Sequence, residues 1–117
     1  MLAKLALLLC TVSLIAGACA APFIYQRRFD RKHAAFFERT EIGSTKAELE
    51  ARAGLPSYVT DGTRWVEPKC EKSADQLVPG CVEEYWYRSR VVYLPSRWAY
   101  CLDKNGVVIS KYHWFSW

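Results

Sequence analysis

The sequence predicts an α+β domain in which two short N-terminal helices pack on one face of a three- to four-stranded antiparallel sheet. Three observations support this fold class: a capped helix that starts near Thr45, a change to β-rich segments after Pro56, and a well-defined turn at 103–106. The chain has 117 residues, so a single domain remains once an N-terminal targeting segment is set aside.

Residues 1–20 have the composition of a secretory signal peptide, with Lys4 followed by an apolar run and then by small residues. Two processing routes are open. A signal peptidase can cut before Ala21, or Cys19 can become the lipidated first residue of a bacterial lipoprotein, which is our working prediction. An uncleaved anchor fits less well, because the apolar run is shorter than the ~20 residues that span a bilayer. Residues 21–33 are interpreted as a tether and residues 34–117 as the folded domain.

Two short helices are predicted at the start of this domain. The first covers 34–42, where apolar side chains follow a brief helical spacing and Gly43 ends the pattern. The second covers about 46–53. It begins with a capping box, in which the Thr45 hydroxyl and the Glu48 carboxylate each accept a hydrogen bond from the other residue's backbone amide. Gly54 supplies the stop and Pro56 prevents continuation.

Strands follow at 64–67 and 82–88, joined by a loop that contains turn residues. Three cysteines remain in the domain, so at most one internal disulfide can form. Cys70 and Cys81 bracket the polar loop, and we predict that they form this disulfide. Cys101 is then a buried strand residue.

The last hairpin turns at 103–106, where Asp103 and Gly106 favour a type I turn with a bulge. This turn places Leu102 opposite Val108. The same face then carries Trp98, Tyr100, Leu102, Val108, Ser110, Tyr112 and Trp114, and we expect it to pack against the helices. A two-residue loop would instead place Lys111 and His113 on that face, since a shift of one residue exchanges the faces.

The order of these elements resembles the SmpA/OmlA (BamE-like) family of small outer-membrane lipoproteins. The resemblance covers about residues 34–114 and rests on three segments: Ile-Gly-Ser-Thr-Lys-Ala-Glu-Leu at 42–49, Ala-Gly-Leu-Pro at 53–56, and Leu-Asp-Lys-Asn-Gly-Val-Val at 102–108. It implies an αα-βββ domain at the outer membrane, facing the periplasm, that binds envelope proteins in outer-membrane assembly or maintenance. A related architecture occurs in tandem in β-lactamase-inhibitory proteins. The alternative is therefore a secreted or periplasmic module that binds and blocks an enzyme.

The residues themselves predict no catalytic, cofactor or metal site. The two histidines lie apart from any nucleophile pattern, and the cysteine spacing lacks the close pairs of structural zinc sites. A net charge of +4 is too small to indicate nucleic acid. Aromatic residues make up 15% of the chain, more than one sheet face can bury, and Trp, Tyr and Arg dominate protein interfaces. The candidate partner-binding residues are Trp86, Arg88, Arg90, Arg97 and Trp117, and carbohydrate binding is a competing use for such a surface.

Overall fold

The computed structural model describes residues 1–66, 70–89 and 96–115, the last without its side chain. The elements are α1 (Leu2–Arg39), α2 (Lys46–Ala53), β1 (Tyr58–Thr60), β2 (Glu83–Arg88), β3 (Ser96–Leu102) and β4 (Val108–Phe115), with a short 3₁₀ turn at Ala74–Gln76. The strands form one antiparallel sheet in the order β1-β2-β3-β4. The α+β class and the antiparallel sheet are therefore confirmed.

The first helix is much longer than predicted. α1 spans 38 residues rather than a short stretch at 34–42, and it includes the segment expected to act as a tether. Its second half is held by tertiary contacts, because Phe29, Phe36 and Phe37 pack against the sheet and His33 is buried there. Packing of one helix face in this way stabilises a helix that local propensity leaves marginal.

The second helix agrees with prediction. α2 covers Lys46–Ala53, and both hydrogen bonds of the capping box are present: the Glu48 amide donates to the Thr45 hydroxyl at 3.2 Å, and the Thr45 amide donates to the Glu48 carboxylate at 3.3 Å. Gly54 follows with a φ of +78°, a conformation that glycine adopts without strain. Leu49 and Ala53 are buried against the sheet.

The sheet buries both of its faces. We call the side that meets α1 and α2 the helix face, and it consists of Tyr85, Tyr87, Trp98, Tyr100, Leu102 and Val108. We call the opposite side the loop face, and it carries Glu84, Trp86, Ala99 and Cys101. The loop between β1 and β2 folds over this second face through Trp65, Val66 and Lys72.

The β3–β4 hairpin confirms the predicted turn and corrects the predicted register. The Gly106 amide donates to the Asp103 carbonyl at 3.0 Å, and Leu102 lies opposite Val108 as expected. A β-bulge then shifts the pairing, so that Cys101 faces Ser110 and Trp98 faces His113. One extra residue in β4 exchanges the faces beyond it. Lys111 and His113 consequently lie on the helix face, whereas Tyr112 and Trp114 lie on the loop face.

The strand predicted at 64–67 is wrong. The neighbour of β2 is β1, in which Tyr58 lies opposite Trp86 and Val59 opposite Tyr85. Arg64 instead forms an isolated bridge with Glu71 inside the loop. The β-rich composition of 64–66 is used to cover the loop face rather than to extend the sheet.

Candidate partner-binding cleft

A cleft of about 630 Å³ opens at the end of the sheet, where α1 passes the segment between α2 and β1. Tyr25 and Phe29, one helical turn apart, form its α1 wall, with ring centroids separated by 6.4 Å. The opposite wall and the floor come from the chain at 55–58 and from Arg88 and Ser89 at the end of β2. The cleft therefore joins three parts of the chain that are distant in sequence.

Hydrogen bonds hold these walls in place. The Ser57 amide donates to the Trp86 carbonyl at 2.8 Å, and the Ser57 hydroxyl both donates to the Arg88 carbonyl and accepts from the Arg88 amide. On the other side, the Ser89 hydroxyl donates to the buried Gln26 side chain, which in turn donates to Asp30 at 2.8 Å. The segment at 57 and helix α1 are thus each attached to the end of β2.

The surface beside the cleft is unusually apolar. Leu55 and Tyr58 have 82% and 43% of their area exposed, and Tyr25 is also exposed on the facing helix. Single exposed apolar residues are common, but contiguous apolar patches mark interaction sites in soluble proteins. These three side chains all line the same cleft, so they form one apolar surface rather than isolated positions.

Among the described residues that line the cleft, the charged one is Arg88. The Arg88 guanidinium lies 5.3 Å from the centre of the Tyr58 ring, and Arg97 lies directly opposite Arg88 in the β2–β3 register. Burial lowers the pKa of Arg97, and the nearby positive charge of Arg88 lowers it further. None of the residues described as lining the cleft is acidic. An anionic group beside Arg88 would therefore meet favourable charge on entering.

The loop face contains a buried ion pair that sequence patterns do not reveal. The Lys72 ammonium lies 2.7 Å from the Glu84 carboxylate and 3.2 Å from the Tyr112 hydroxyl. It also lies within 6 Å of the ring centres of Trp65, Trp86 and Tyr112, which form an aromatic cage. Burial, followed by the charge of Glu84, raises the pKa of Tyr112. The Lys72 and Glu84 side chains are at most 1% exposed, so the ion pair contributes to the core and not to a binding surface.

The disulfide connects different cysteines from those predicted. Cys81 bonds to Cys101, whereas Cys70 is free and exposed, so the predicted Cys70–Cys81 pair is wrong. The reason is topological: β2 and β3 are neighbours, and Cys81 precedes β2 where Cys101 approaches it. Close spacing in sequence is a weaker guide to pairing than this cross-strand proximity.

One group of potential metal ligands occurs in the described part of the chain, formed by Cys81, Glu84 and Cys101 within 4.8 Å. The two sulfur atoms are bonded to each other, and the carboxylate is neutralised by Lys72. The group therefore serves as a structural cluster in the oxidised protein.

The predicted partner-binding residues have different positions in the structure. Arg88 lines the cleft. Trp86 points away from the helices as expected but is only 1% exposed, because the loop covers it, and Arg97 is buried at 4% exposure. Arg90 and Trp117 lie outside the described residues. Cys19, the predicted lipidation site, is exposed on α1.

No protein-family model matches this chain, and no curated protein or solved structure matches it. The resemblance to the SmpA/OmlA family therefore stays a hypothesis that rests on the three sequence segments.

Sequence reasoning missed most of the cleft. The signal on α1 was present, because Tyr25, Phe29, His33 and Phe36 recur at helical spacing across the segment interpreted as a tether. For Leu55 and Tyr58 there was no comparable signal, since exposure of two apolar side chains depends on what packs around them.

Proposed function

We propose that this chain is an exported, non-enzymatic protein of the cell envelope that binds protein partners through the cleft, with a role in outer-membrane assembly or maintenance. The observation that carries the proposal is the exposed apolar surface that Tyr25, Leu55 and Tyr58 form in the lining of an open cleft. The BamE-like αα-βββ assignment and the outer-membrane location, facing the periplasm, belong to this proposal.

The disulfide supports export. Structural disulfides persist in oxidising compartments such as the bacterial periplasm and are rare in the cytosol. The Cys81–Cys101 bond joins the segment just before β2 to a fully buried residue of β3, so it is part of the folded structure. The same reasoning makes the free Cys70 the exception among the domain cysteines.

The N-terminal helix supports processing at the predicted position. The whole helix is long enough, and its N-terminal part apolar enough, to cross a membrane, a description that a signal sequence near the N-terminus also meets; the side chains of that part are exposed. Pro22 lies inside α1, where it removes a backbone hydrogen bond. Cleavage before Cys19 or Ala21 would put Pro22 in the first turn of the remaining helix, where backbone amides have no helical partner and proline costs no hydrogen bond.

Site-specific photocrosslinking in intact envelopes tests the function. We replace Leu55 by p-benzoylphenylalanine and use the same replacement of Lys104, an exposed residue of the β3–β4 turn, as the matched control. We expect an adduct with a specific envelope protein at position 55 and none at position 104. No adduct at position 55, or the same adducts at both positions, would contradict partner binding through the cleft.

Lipidation separates the proposal from its alternative. Intact mass and acyl incorporation are compared for the wild type and Cys19→Ser. An acylated wild type that leaves the membrane in Cys19→Ser supports an anchored envelope protein. An unlipidated chain that begins at Ala21 supports the secreted or periplasmic inhibitor-like module instead.

A further inference from the structure

The cleft is continuous with the free edge of the sheet. β1 is the first strand of the sheet, and in the described residues its strand partner is β2 alone. An edge strand presents unpaired backbone groups that can pair with an extended segment from another chain. Tyr58 belongs to both features, since it begins β1 and lines the cleft. A segment that pairs with β1 would therefore run directly into the cleft.

The arginines at the cleft end of the sheet favour a bound segment with acidic side chains. Arg88 and Arg97 lie opposite each other on neighbouring strands, which places two guanidinium groups at this end of the sheet. Because Arg97 is buried and Arg88 lines the cleft, a ligand reaches this end through Arg88. A carboxylate there would form a charge-assisted hydrogen bond with the Arg88 guanidinium group, which offers five N–H donors.

The helix wall adds to the same preference. Arg28 and Lys32 are exposed on α1, three and seven residues after Tyr25, which places them near the same side of the helix. With Arg88 across the opening, cationic side chains flank apolar walls. This combination is complementary to an apolar side chain next to an acidic one.

We infer that the cleft binds an extended protein segment that pairs with β1, inserts an apolar side chain between Tyr25 and Leu55, and places a carboxylate beside Arg88. This inference rests on the proposed function and specifies the chemistry of the partner. It identifies the recognised element as a short acidic-apolar strand rather than a folded surface.

The probe is a random twelve-residue peptide library displayed on phage, and the bait is the processed protein purified from envelopes. We expect the enriched peptides to combine apolar residues with Asp or Glu. Arg88→Gln should lose the acidic preference and bind an enriched peptide about tenfold more weakly, whereas Lys104→Gln, on the distant turn, should behave as the wild type. Leu55→Ala, at an exposed position that folding does not require, should weaken the apolar preference.

Hydrogen–deuterium exchange tests the pairing itself. Saturation with an enriched peptide should slow exchange within β1 (58–60), because the amides that point away from β2 become hydrogen-bonded, and leave the 103–106 turn unchanged. An acidic preference that survives Arg88→Gln would overturn the inference, as would unchanged exchange at 58–60.

Two other occupants have their own outcomes. If light scattering shows a concentration-dependent dimer that Leu55→Ala abolishes, the occupant of the cleft is a second copy of this chain and not a segment of another protein. If the protein floats with phosphatidylglycerol vesicles in a way that depends on Arg88, and no peptide is enriched, the occupant of the cleft is a lipid. If position 55 gives a specific crosslink but the library shows no acidic enrichment, the inference fails while partner binding stands.

Discussion

The two faces of the sheet are buried by different means. On the helix face, aromatic and aliphatic side chains meet two helices, and His33 is enclosed by Phe29, Tyr87 and Trp98 at ring distances of 4.2–5.7 Å. On the loop face, an irregular segment covers a glutamate and a disulfide and contributes the lysine that pairs with the glutamate. The helix face is formed by the periodic spacing of apolar residues. The loop face depends on the ion pair between Lys72 and Glu84, because an isolated buried charge is strongly unfavourable.

The largest effect is expected from breaking the ion pair of the loop face. Lys72→Met leaves the Glu84 carboxylate buried without its counter-charge, which should lower the free energy of unfolding by about 3–5 kcal/mol in urea titrations. Lys46→Met is the matched control, since its pair with Glu83 is partly exposed and its loss should have a much smaller effect on stability. The double variant Lys72→Met with Glu84→Leu should recover much of the loss. Equal losses for Lys72→Met and Lys46→Met would show that the loop face does not depend on this pair.

Removing the disulfide tests how much the bond between Cys81, at the end of the loop before β2, and Cys101 in β3 contributes to stability. Cys81 and Cys101 are separated by 20 residues, so Cys81→Ser should lose about 3 kcal/mol under non-reducing conditions in the chain-entropy model. Cys70→Ser should match the wild type, and the loss in Cys81→Ser should disappear when reductant is added to both proteins. A loss in Cys70→Ser as large as that in Cys81→Ser would restore the pairing expected from sequence.

The helix face should respond to acid through His33. Burial lowers the pKa of this imidazole from 6.5 to about 4, and the charge of Lys32 contributes a smaller decrease. The unfolded chain then binds more protons than the folded one, so stability is complete above about pH 6.5 and falls as the pH approaches 4. Between pH 7 and pH 5 the expected loss in the free energy of unfolding is on the order of 2 kcal/mol. His33→Phe keeps an aromatic ring without the proton and should have a flatter stability profile between pH 7 and 5. An unchanged profile would remove His33 as the cause.

The smallest effect is expected at the start of α2. Thr45→Ala removes the capping hydroxyl and should lower stability by about 1 kcal/mol. Ser44→Ala, one residue earlier, is the control, because Ser44 takes part through its backbone carbonyl, which accepts from the Val108 amide. Thermal unfolding of both variants distinguishes loss of the cap from a general effect of substitutions in this segment.

The features predicted successfully are those encoded over a few residues. The capping box at 45–48 and the turn at 103–106 each contain all the groups that form them. The bulge that moves Tyr112 to the loop face, the covering of Trp86 and the Cys81–Cys101 bond depend instead on contacts between distant segments. The candidate site follows the same division, since Arg88 was identified from composition, whereas the cleft around it requires α1, the segment at 55–58 and the end of β2 to be assembled.

The continuity of α1 determines how the domain can meet a partner. Tyr25 follows Cys19 by six residues in one unbroken helix, a rise of about 9 Å. A lipid on Cys19 would therefore hold the cleft at a short and nearly constant distance from the bilayer, because no flexible linker would separate the two. Encounters would be restricted to proteins that expose a strand close to the membrane surface and that diffuse in the same plane.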